Sequence, residues 1–300
     1  MGVKDLRVDL MPHIRNAEIF AKRSVLSKTI TGNWVTSYKG RGIEFAGYRS
    51  YQFGDDASLI DWRASLRAKE PMVREFEEYK SFSVFILLDV SNSMLFSSNE
   101  KLKAEYAAEM AYALGEGILR GGDAVGLGMF TDELKASLHP NIGHGVLERF
   151  AQHLKDPSLY GGEFDLQRVL KQTVSFLQNN AIIIVISDFL GLRDGWQRYV
   201  RMMSQNFEMI GLMVRDPRDR DLPRHTGQYA LEDPYSDNMM YIDVKDFAKP
   251  YKRFVEEEER KIMNVFKSVK GGMALITTDK DYLAPLTRFL RQRKFITMTT

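Results

Sequence analysis

Two aspartates each stand directly behind a run of apolar residues. Asp89 follows residues 82–88, and Asp188 follows residues 181–187. An apolar run of that length reads as a strand buried on both faces. In doubly wound sheets, ligands bind beyond the carboxyl ends of the strands, where the strand order reverses. Neighbouring strands lie about 4.8 Å apart, and two ionised carboxylates that close repel unless a cation or a shared proton intervenes. The segment leaving the first strand reads Asp89-Val-Ser91-Asn-Ser93, so three oxygen-bearing side chains alternate along it. Oxygen donors completed by water suit a hard divalent cation such as Mg²⁺, which demands near-octahedral geometry. The plainer alternative is that Asp89 and Ser91 cap the next helix. The second acid, in register with the first, favours a metal site built from Asp89, Ser91, Ser93 and Asp188.

The elements that must position these residues follow from hydrophobic periodicity. From residue 82 onward the pattern is strand–helix–strand. Strands are expected at 82–88, 124–130, 181–187, 209–214 and 273–277, with 134–139 as a hairpin partner of 124–130. Helices are expected at 99–119, 146–154, 166–177, 196–203, about 250–269 and about 281–292. The first of these aligns Leu102, Tyr106, Met110, Ala113, Leu114 and Ile118 on one side. This alternation implies an α/β fold: a doubly wound, mostly parallel sheet with helices on both faces. Residues 216–250 carry four of the nine prolines, and a small hairpin is expected there, 228–231 with 239–242. Residues 1–30 read as helical. Residues 31–80 are Gly-, Tyr- and Arg-rich with short alternations that suggest a β hairpin or meander. The organisation expected is an N-terminal helix and β-rich region over 1–80, then the α/β domain over 81–300 with a hairpin insertion near 216–245.

Composition removes several classes of function. The chain has no cysteine, which excludes thiolate catalysis and Cys-based zinc or iron–sulfur sites. Its 42 basic and 40 acidic residues, a net +2, form no basic excess that points to nucleic acid. No apolar run approaches the roughly 20 residues of a membrane span. The first residues show neither a signal core nor a myristoylation serine, so the expected location is the cytoplasm. The five histidines lack zinc-protease spacing, and no serine-hydrolase elbow or P-loop occurs. Arg49 with Asp61 and Trp62 could form a partner-binding surface, but the expectation favoured is a buried Arg49–Asp61 ion pair with Trp62 packed in the core joining the two regions.

Asp89-x-Ser91-x-Ser93 with Asp188 resembles the metal-ion-dependent adhesion site of von Willebrand factor A (vWA) domains. The likeness extends over roughly residues 40–290. Arg49-Ser-Tyr51-Gln-Phe-Gly54-Asp55, Ile60-Asp61-Trp62, Val73-Arg74-Glu75-Phe76-Glu77, Ile186-Ser187-Asp188-Phe189 and Arg215-Asp216-Pro217-Arg-Asp-Arg-Asp-Leu222-Pro223 together resemble the domain-of-unknown-function family fifty-eight. Members of that family are vWA-like proteins associated with MoxR-type AAA+ ATPases. The resemblance implies a non-enzymatic binding module that holds Mg²⁺ or Mn²⁺. Ser91 and Ser93 would be direct ligands, and Asp89 and Asp188 would hold coordinated waters. An acidic side chain of a client protein would complete the shell, and a MoxR-type ATPase would work beside it in assembly or maturation of another complex. One departure stands out. Where the family places a threonine ligand in a Gly-Gly-Thr-Asp-Leu loop, this chain reads Gly161-Gly162-Glu163-Phe164-Asp165-Leu166. Glu163 stands at the threonine position, or Phe164 does if the aspartate is aligned, so Glu163 is a candidate further ligand or else points away and leaves a weaker site. The alternative is a Mg²⁺-dependent, haloacid-dehalogenase-like phosphatase with Asp89 as nucleophile. That class ordinarily has Asp-x-Asp, and Ser91 stands at its third position.

Overall fold

A computed structural model describes residues 6–10, 43–78, 83–143, 145–177, 181–223, 227–236, 238–269 and 271–298. The chain divides into two compact units, Trp34–Ser81 and the remainder. The expected helix over 1–30 lies outside the described residues except at 6–10, which are neither helix nor strand. Those five residues belong to the larger unit rather than to a 1–80 region. Long-range bonds tie them there: the Arg7 backbone N–H donates to Glu105 Oε1 and that of Asp9 to Glu109 Oε1.

In the smaller unit, β1 (Ile43–Ser50) pairs antiparallel with β2 (Met72–Glu78). Asp61 caps the short helix α1 (Trp62–Ala68) by accepting from the Arg63 and Ala64 N–H groups. Two expectations are corrected here. Arg49 pairs with Asp55, at 2.6 Å, rather than with Asp61, because Asp55 sits in the turn directly after β1. Trp62 is 69 % exposed rather than packed in a core.

The larger unit is built on a six-stranded sheet: β3 (Ser83–Asp89), β4 (Ala124–Phe130), β5 (Leu134–Asn141), β6 (Ile182–Ser187), β7 (Glu208–Arg215) and β10 (Gly272–Thr277). Their spatial order is β10-β7-β6-β3-β4-β5. All neighbours are parallel except β4 and β5. This is the doubly wound, mostly parallel sheet that the periodicity implied. Burial follows position. β3, β6 and β7 are buried along nearly their whole length, as strands covered on both faces must be, whereas the edge strand β5 alternates half-buried and exposed residues.

Two apolar clusters cover the two faces. One packs α2 (Lys103–Arg120), α3 (Gly145–Leu154) and the start of α8 (Leu283–Met298) against Ile86, Leu88, Ile184 and Leu212. The other packs α4 (Leu166–Phe176), α5 (Trp196–Met203) and α7 (Val244–Ser268) against Phe85, Leu87, Ile183 and Val185. Phe85 lies over β4, where Cβ atoms added at Gly126 and Gly128 would come within 2.9 Å and 2.8 Å of its ring. Those two glycines make room for the aromatic side chain. Between β7 and α7 lie a short helix, α6 (Pro217–Arg220), and the hairpin β8 (Gln228–Glu232) with β9 (Met239–Asp243). Helix α7 begins six residues before Pro250, not at it. Asp243 caps the true start, and the proline is carried inside the helix. Among the described residues, no helix is long and apolar enough to cross a membrane.

Candidate metal centre

The chain lays down β3 and goes out to β4 and β5 on one side. It then returns through α4 to place β6 on the other side of β3. The strand order therefore reverses between β3 and β6, and Asp89 and Asp188 stand at the carboxyl ends of those two strands. Residues at such a switch point face a crevice that the sheet itself opens.

Four of the five expected site residues come together there. Asp89, Ser91 and Asp188 are fully buried, and Ser93 is 1 % exposed. Asp89 Oδ1 accepts the Ser91 N–H at 2.9 Å, and its Oδ2 accepts the Ser187 hydroxyl at 2.6 Å. Ser93 Oγ donates to Asp188 Oδ1 at 3.0 Å, and the Leu190 N–H reaches the same oxygen at 2.9 Å. The hydroxyls of Ser91 and Ser93 are 3.5 Å apart. Phe189, next to Asp188, holds a left-handed backbone at φ 55°. A bulky residue adopts this conformation only when its surroundings impose it. Here the Phe189 ring is buried against Phe266, and its N–H donates to Ser187 Oγ. Burial and the neighbouring Asp188 push the Asp89 carboxyl up to about 7.

The fifth residue is elsewhere. The Glu163 side chain is 68 % exposed and pairs with Arg193 at 3.4 Å. The loop 161–165 is fixed by backbone bonds on both sides: Gly161 N–H to Val90 O, Asn92 N–H to Gly162 O, and Asp165 N–H to Thr131 O. With Gly161 and Gly162 at positive φ, Phe164 turns inward against Phe130, and Glu163 turns outward. Among the described residues, no group of three or more histidines and acids is arranged to hold a metal. The donor set at the switch point is two carboxylates and two hydroxyls.

Sequence reasoning missed three partners of this site. Lys103, 1 % exposed in its side chain, places Nζ 2.7 Å from Asp188 Oδ2 and 2.7 Å from Asp219 Oδ2. Burial alone would lower its pKa, but the two carboxylates more than offset that and hold it charged. Burial raises the Asp219 carboxyl despite the ammonium beside it. The third is Tyr235, at the tip of the β8–β9 hairpin. Its hydroxyl donates to Ser93 Oγ at 2.8 Å and lies 3.0 Å from Ser91 Oγ. One signal for Lys103 was available. A cation in the first turn of a helix opposes the helix dipole, so a lysine opening an otherwise buried helix implies a tertiary partner.

The donor chemistry fits a small hard cation. In an Mg²⁺ octahedron with bonds of about 2.1 Å, adjacent oxygens lie ~3 Å apart. The Ser93–Asp188 and Ser91–Ser93 oxygen separations, 3.0 Å and 3.5 Å, fall near that spacing. The profile described as "Protein of unknown function DUF58" matches residues 47–261. The chain belongs to that family. Its relatives include the uncharacterized proteins Mb1516 of Mycobacterium bovis and Rv1480 of Mycobacterium tuberculosis, each 24 % identical over 286 residues, 94 % of this chain and 89 % of theirs. Among solved structures, BatB from Bacteroides thetaiotaomicron aligns with 73 % of this chain and all of its own at 17 % identity and TM-score 0.47. A von Willebrand factor type A protein from Catenulispora acidiphila aligns with 75 % of this chain and 43 % of its own at 13 % identity and TM-score 0.37. These structural likenesses are too distant to bear on function. The fold stands on the sheet order itself.

Proposed function

We propose that this DUF58 protein is a metal-ion-dependent protein-binding module. One observation carries the reading: four oxygen-bearing side chains from two separate loops converge, buried, at the sheet's switch point. Ser91 and Ser93 offer hydroxyls as direct ligands, and Asp89 and Asp188 orient coordinated water. Bound Mg²⁺ or Mn²⁺ supplies a coordination position for an acidic side chain of a client protein. Ser187 and the Ser91 N–H fix the Asp89 carboxylate, and Lys103 fixes that of Asp188, so both acids are set before any ligand arrives. The family resemblance adds a MoxR-type AAA+ ATPase as working partner, in assembly or maturation of another complex.

The phosphatase alternative lacks comparable support. It needs a proton donor for the leaving group. The further charged groups bonded to this site among the described residues, Lys103 and Asp219, are committed to each other. The test is titration calorimetry with Mg²⁺ and with Mn²⁺ on the wild type and on Ser91→Ala/Ser93→Ala. Binding by the wild type and its loss in the double variant are expected, with unchanged far-UV circular dichroism. Equal binding by both would end the proposal.

A further inference from the structure

The four groups of the candidate centre are at most 1 % exposed, so something must move before an ion or a partner can reach them. The side chain that reaches them from outside their own two loops and touches both hydroxyls is Tyr235. Its OH is 2.8 Å from Ser93 Oγ and 3.0 Å from Ser91 Oγ, and 3.4 Å from the Leu190 carbonyl it also faces. The ring packs on Gly191, where an added Cβ would come within 2.9 Å of it.

The hairpin tip is built to aim this one residue inward. Asp233 accepts the Tyr235 N–H at 3.0 Å and the Ser236 hydroxyl at 2.7 Å, and its own N–H donates to Asn238 O at 3.0 Å. Asn92, inside the Asp89-x-Ser91-x-Ser93 loop, donates from Nδ2 to the Pro234 carbonyl at 3.2 Å. The residues flanking Tyr235 at 232–234 and 236 are exposed, as are most of β8 and β9. An element with so little buried surface opens at low free-energy cost.

We propose that Tyr235 is a built-in competitor at this site. Its hydroxyl engages the two serine oxygens that an incoming divalent ion would take as ligands, and the 233–236 tip lifts when the ion binds. The inference rests on the metal-site reading above and adds to it a residue that sets how tightly the site takes its ligand. An ion must break the two hydrogen bonds from Tyr235 before it can take the serine oxygens as ligands, which a divalent charge does and a neutral group does not.

The experiment uses the full chain and Mn²⁺ alone as probe. Tyr235→Phe keeps the ring on Gly191 and removes the hydroxyl. It is expected to bind Mn²⁺ about fivefold or more tighter than wild type, from the release of two hydrogen bonds. Hydrogen exchange gives a second readout independent of the variant: in the wild type, saturating Mn²⁺ should speed exchange in residues 233, 235 and 236. Unchanged or weaker Mn²⁺ binding by Tyr235→Phe overturns the proposal and leaves the metal site standing. So does binding by the wild type with unaltered exchange at the tip. If neither protein binds Mn²⁺, the metal reading fails and this inference fails with it.

Discussion

Replacing Lys103 by methionine tests the electrostatics of the centre most directly. The change keeps most of the side-chain volume and deletes an ammonium that bridges two carboxylates at 2.7 Å each, with side-chain exposures of 1 % for the lysine, 0 % for Asp188 and 9 % for Asp219. At an effective dielectric constant of about 20, each contact is worth about 6 kcal/mol of Coulomb attraction. Desolvation of the three groups offsets most of that sum. Leaving buried partners uncompensated costs about 3–5 kcal/mol. In a unit of this size, each kcal/mol moves the melting temperature by about 2–4 °C, so a fall of about 6–20 °C is expected. Calorimetric melting at neutral pH in the presence of EDTA measures it. Adding Asp219→Asn to Lys103→Met should restore part of the loss, since one carboxylate fewer is then stranded. A Lys103→Met protein that melts within about 2 °C of wild type would show that the lysine is not the counter-charge described here.

Two further outcomes follow from side chains outside that bridge. Glu163→Gln is expected to leave Mn²⁺ affinity within about twofold of wild type, because the carboxylate is 68 % exposed and faces Arg193; a tenfold loss by calorimetry would place it in the coordination shell after all. In the smaller unit, the Arg49 guanidinium and the Gln52 N–H hold the Asp55 carboxyl down to about 2. Its folded value lies below its unfolded one, so its contribution to stability is present above pH ~4 and is lost as pH falls through 2. A carboxyl NMR titration should find the midpoint there in wild type and raised in Arg49→Gln, though not fully to the unfolded value because the Gln52 N–H bond remains; equal midpoints would refute the pairing.

Much of the larger unit was legible because a buried parallel strand has a plain signature. Residues 83–88 and 182–187 are apolar enough to be read alone, and each ends where its candidate acid begins. Asp89 and Asp188 were therefore placed correctly relative to the sheet. Lys103 escaped because lysine on a helix is ordinarily solvated. Its burial depends on Asp219, which lies 116 residues away in a motif read only for its family resemblance and not for a charge partner. Tyr235 escaped for a similar reason, reaching the serines across more than 140 residues from a hairpin tip. Alignment to a threonine left open whether Glu163 faces the site or points away, and the structure turns it outward. Which of two adjacent residues faces the site is decided by the glycine conformations and the backbone bonds around them, and a one-residue rotation of that loop exchanges Phe164 for Glu163. Trp62 looked like core by composition alone, and no pattern of spacing distinguishes an exposed indole from a packed one.

A tethered ammonium behaves unlike a dissolved ion. It cannot be chelated, diluted or exchanged, and it stays with Asp188 whatever the salt outside. The acids of this crevice therefore carry a resident counter-charge supplied by the chain itself, and the packing around them is set by that charge rather than by anything dissolved.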